Sequence, residues 1–72
     1  LESGSKLAKK QVLTEMLLQV KVMADALALL YAAVEADQGE ASREAIIKLA
    51  KAEATFDELG SRLAPNGKWQ DE

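Results

Sequence analysis

Residues 12–36, VLTEMLLQVKVMADALALLYAAVEA, contain neither Gly nor Pro. Leu13, Leu17, Val20, Ala24, Leu27, Tyr31 and Val34 recur among them at alternating steps of four and three. That spacing is one face of an α-helix held for three heptads. No strand tolerates such a period, so the chain must fold around one long helix. A helix over residues 6–37 would be roughly 45–50 Å long at about 1.5 Å per residue. Helices of that length in small proteins belong to bundles or coiled coils.

The second half repeats the pattern. Ser42, Ala45, Leu49, Ala52, Phe56, Leu59 and Leu63 fall at alternating steps of three and four, and Pro65 ends the helical stretch, because its ring removes a helix hydrogen bond. This predicts a second helix over residues 40–64. Gly39 is the expected break, with φ > 0 just past the first helix. Asp37 with Glu40 reads as a capping box for the second helix, with Ser42 as a rival N-cap. Only a few residues join the helices, which forces an antiparallel hairpin. Gly60, inside the second helix, has close helix approach as its expected use. Residues 1–5, LESGS, read as a linker or cloning remnant, with Ser5 as N-cap. Residues 65–72 read as a C-terminal tail, and either its Trp69 or a second chain is expected to cover Leu13.

With 72 residues and neither Cys nor His, the chain has few ways to stabilise a fold. A core this small seldom yields more than about 3–5 kcal/mol, and small domains add disulfides, a metal or a second copy. The first two are closed here, which leaves oligomerisation. On a helical wheel, Val12, Met16, Met23 and Leu30 flank the Leu13–Val34 line, so large apolar side chains span roughly 140° of the first helix. One neighbouring helix covers less than that. The expected architecture is therefore all-α: an antiparallel two-helix hairpin dimerising into a four-helix bundle, with Val12, Met16, Met23 and Leu30 at the dimer interface. In general shape this resembles the Rop-type helical hairpins. The resemblance is one of architecture, without a shared motif, and it implies no residue roles.

Composition narrows the function classes. Nine basic and twelve acidic residues give a net charge of −3, which disfavours nucleic acid as a partner. A Rop-like RNA-binding bundle remains the alternative function, through Lys6, Lys9, Lys10, Lys48, Lys51 and Arg62, although Glu44, Asp57 and Glu58 dilute that surface. Without His there is no base for a nucleophilic triad. The Glu40/Glu44 and Glu53/Asp57 pairs lack the Glu-x-x-His pattern of di-metal bundles. No catalytic residue, metal or cofactor is expected. Glu15, Lys21, Asp25 and Glu35 interrupt the apolar stretch, so a membrane span of about 20 apolar residues is not expected either. The absence of Cys fits a cytoplasmic protein.

What remains is an interaction module: a homodimer that docks another protein on a helix face, as a small bacterial or phage regulator or adaptor would. Leu18, Val22 and Leu29 form a second apolar line on the back of the first helix. Ile47, with Ala50 and Ala54, forms a minor stripe on the second. These are the expected partner-binding residues. Glu53 falls within the apolar arc of the second helix, beside Ile46, Leu49 and Phe56; it either reaches water at the rim or forms a specificity ion pair with Lys21, Lys10 or a second chain.

Overall fold

Two helices, α1 (Glu2–Glu35) and α2 (Gly39–Leu63), make up the described part of the chain. The computed structural model describes residues 2–63, with side chains from Lys6 onward. The expectations for Trp69 and the 65–72 tail fall outside it. α1 starts before Ser5, so Ser5 lies within the helix rather than capping it. The helices pack against each other as a hairpin.

The turn is built differently from the sequence expectation. Asp37, not Gly39, takes the left-handed conformation, with φ 61°. Its N–H donates to the Val34 carbonyl (3.1 Å), and the Gln38 N–H donates to the Ala33 carbonyl (2.8 Å). These two bonds are the 5→2 and 6→1 pairs of a Schellman motif, which satisfies carbonyls the helix end leaves free. Asp is among the few non-glycine residues that tolerate this conformation. Being committed to ending α1, Asp37 does not cap α2. Ser42 does not cap it either: its N–H and its hydroxyl both donate to the Gln38 carbonyl, each at 3.0 Å. Gly39 opens α2. Glu40 in the first turn and Arg62 in the last complement the helix dipole.

The line that α2 buries is the one its sequence predicts. Ala45, Ala52 and Leu59 are buried, and Ser42, Leu49, Phe56 and Leu63 are half-buried. On α1 the buried line is Val12, Met16, Gln19, Met23, Ala26, Leu30 and Ala33, with Ala26 only 1% exposed. Each member lies one residue before a member of the predicted line, so α1 is rotated by about 100° from expectation. Val12, Met16, Met23 and Leu30, expected between two chains, instead sit inside the hairpin. Small size explains the choice. Ala26 and Ala33 share the buried layer with Ala45 and Ala52, and small residues let two helix axes approach closely. Large leucines at those positions would hold them apart.

Among the described residues, nothing covers either flat side of the hairpin. It measures 53 × 20 × 12 Å, with a radius of gyration of 16.1 Å, against about 11 Å for a compact domain of this length. Twelve ångströms is one layer of helix, and domains ordinarily need two layers to enclose a core.

Candidate interaction surface

Rotating α1 turns its predicted core outward. Leu13, Leu17, Val20, Leu27, Tyr31 and Val34 are all exposed, from 41% at Leu13 to 70% at Tyr31, and Ala24 is exposed among them. The four charged residues between positions 13 and 35 are Glu15, Lys21, Asp25 and Glu35. None belongs to this line. An uninterrupted apolar line at alternating steps of three and four is what a helix presents to another helix. At its turn end, Leu27, Leu30, Tyr31, Val34 and Glu35 line an open depression of about 530 Å³.

The same side of the hairpin can be traced onto α2. Residues one on from its buried line are Ile46, Glu53 and Gly60. In an antiparallel pair, such positions on both helices share one flank. Gly60 marks that flank, since a Cβ there would lie 3.6 Å from Met16 Cε. That is ordinary contact, so the packing does not require a glycine. Ile46 is exposed on that flank.

The opposite flank holds the residues expected to bind a partner on α1. Leu18, Val22 and Leu29 are exposed there. Leu29 lines a groove of about 440 Å³ with Ala32 and Ala33 of α1, Ala36 of the turn, and Ala41 and Ala45 of α2. Ile47 is exposed too, but it lies two residues from both Ala45 and Leu49, on the back of α2. The structure therefore does not bring Ile47 together with Leu29. Lys21 lies likewise on the back of α1, two residues from Gln19 and Met23. Glu53 is exposed on the flank beside Ala52, and no ion pair joins it to Lys21.

Among the described residues, no three acidic side chains come together where they could hold a metal ion, and no polar side-chain atom is buried without a partner. Lys6–Glu35 of α1 is long and apolar enough to cross a membrane by length and composition. The chain matches no family model, no curated protein and no solved structure.

Proposed function

We propose that this protein is a helical assembly module that works through the Leu13–Val34 line of α1. Two hairpins associate over that line as a homodimeric four-helix bundle, and the bundle presents its remaining helix faces to another protein, as a regulator or adaptor does. The observation that carries this reading is the exposed, charge-free apolar line with coiled-coil spacing. A lone apolar side chain on a surface needs no explanation, but a contiguous row of large ones marks a contact surface. A second layer also supplies what a 12 Å thick hairpin lacks.

A membrane-inserted α1 is the competing reading, favoured by the length and apolarity of that helix. It would carry Lys21 and Asp25 near the middle of the bilayer, each at about 2.5–3.5 kcal/mol on insertion scales. Confining charge to the sides away from one apolar line is what a soluble bundle needs. The RNA-binding alternative is disfavoured by the net charge of −3.

Light scattering at micromolar concentration tests the proposal. The expected mass is twice that of the chain, and Leu17→Lys combined with Tyr31→Lys should reduce it to one. Both side chains are mostly exposed within the hairpin, so the double variant removes association without opening the intrachain seam. A wild-type monomer with full helical circular dichroism would overturn the reading. Uptake by neutral lipid vesicles, without dimers in water, would replace it with the membrane one.

A further inference from the structure

We infer that the occupant of this surface is the α1 helix of a second copy, running antiparallel about a two-fold axis at Ala24. The inference rests on the assembly reading above and adds its register and polarity.

The first observation is the order of residues along the line. Counting outward from Ala24 in both directions gives Leu27 and Val20, then Tyr31 and Leu17, then Val34 and Leu13. An antiparallel copy centred there sets Val20 against the partner's Leu27, Leu17 against the partner's Tyr31 and Leu13 against the partner's Val34. Every large side chain meets another large apolar one. Ala24, the only small member of the line, meets itself on the axis, where two helices must come closest.

The second observation is charge. Past the apolar line, the N-terminal end of α1 carries Lys10 and its turn end carries Glu35 and Asp37, all exposed. Antiparallel packing about Ala24 brings Lys10 level with the partner's Asp37 and within reach of the partner's Glu35, once at each end of the dimer. Parallel packing would set lysine beside lysine and glutamate beside glutamate. Opposed helix dipoles favour the same choice.

The third observation excludes α2 as the partner helix. Its corresponding line, Arg43, Ile46, Ala50, Glu53, Asp57 and Gly60, holds three charged residues. Seating Leu17 and Leu27 over it would bury carboxylates without partners.

Because the chain has no Cys, single cysteines report the register without interference. Ala24→Cys, Leu17→Cys and Tyr31→Cys are each oxidised with diamide at micromolar concentration, alone and with the last two mixed. Disulfides require Cα atoms within about 7 Å. The expected result is a covalent dimer from Ala24→Cys alone and from the Leu17→Cys and Tyr31→Cys mixture, with at least a tenfold lower yield from either of those variants alone. Self-linking of Leu17→Cys would overturn the antiparallel register. A dimer by light scattering in which Ala24→Cys does not link would overturn the α1–α1 contact while leaving the assembly reading in place. A monomer with no link at any position would remove both. Ala24→Cys is exposed and nearly isosteric, so folding does not limit the test.

Discussion

One residue on from the buried seam, the two helices read differently. On α1 the exposed line is Leu13, Leu17, Val20, Ala24, Leu27, Tyr31 and Val34. On α2 the corresponding line is Arg43, Ile46, Ala50, Glu53 and Asp57, all exposed, with Gly60 half-buried. The hairpin gives each helix one neighbour. For α2 that is enough, because beyond its seam only scattered apolar residues remain. α1 carries two apolar lines about 100° apart, and the hairpin covers one. A helix with two such lines is built to sit between neighbours, so α1 is the central helix of the proposed assembly and α2 an outer one.

The strongest way to break the comparison is at the seam the helices share. Ala26→Asp places a carboxylate where the side chain is 1% exposed, and no charged side chain is buried among the described residues. Burying an unpaired charge costs several kcal/mol, comparable with the roughly 3–5 kcal/mol a core this size supplies. The expected outcome is loss of the cooperative thermal transition in circular dichroism. Placing the same charge one residue later, with Leu27→Asp, should leave hairpin packing in place and act on association, because Leu27 is more than half exposed. Equal damage from both variants would show that the two lines are not distinct.

The opposite flank of α1 offers a smaller effect. Leu18→Lys with Leu29→Lys changes two exposed residues on the flank away from the proposed dimer contact. Helicity and dimer mass should be nearly unchanged, with each substitution within about 0.5 kcal/mol, as surface changes usually are. Only docking of a further partner should suffer. Loss of the dimer in this variant, with Leu17→Lys and Tyr31→Lys harmless, would exchange the roles of the two flanks.

The contrast between the helices also explains what was readable in the sequence. On α2 there is one apolar line, so its period alone identified Ala45, Ala52 and Leu59 as buried. On α1 two lines share the same spacing and differ by a single residue. The more hydrophobic one, rich in Leu, looks like the core. The line that α2 occupies contains Gln19 and the small Ala26 and Ala33, and it is selected by how closely two backbones can approach. Side-chain hydrophobicity carries no information about that. The turn was misread for a related reason. Gly39 is the better left-handed residue by type, but ending α1 at Glu35 leaves that position to Asp37. Leu18, Val22 and Leu29 were legible as exposed because they lie outside the predicted Leu13–Val34 line. That Ile47 does not join them follows only once α2 is seen to turn its back there.

Two glycine exchanges, the smallest effects, sharpen the picture of how each helix ends. Asp37 holds φ at 61°, which costs a side chain with a Cβ roughly 1–2 kcal/mol, less for Asp than for most. Asp37→Gly should stabilise the hairpin by a few tenths to about 1 kcal/mol through relief of that strain. Part of the gain is returned as backbone entropy and, in the antiparallel dimer, as the lost charge opposite Lys10. Gly60 is the reverse case. It lies inside the last turns of α2, and an added Cβ would make only ordinary contact with Met16. Gly60→Ala should therefore stabilise by up to about 1 kcal/mol, the difference in helix propensity. For a domain of this size that raises the melting temperature by about 4–8 °C. The two exchanges are far apart and should add, and thermal melts of both single variants and the double variant at one fixed concentration will show it. A destabilised Gly60→Ala would mean that α2 approaches another backbone at Gly60. That would place the Gly60 flank of α2 inside the assembly as well, and the division between a central and an outer helix would fail.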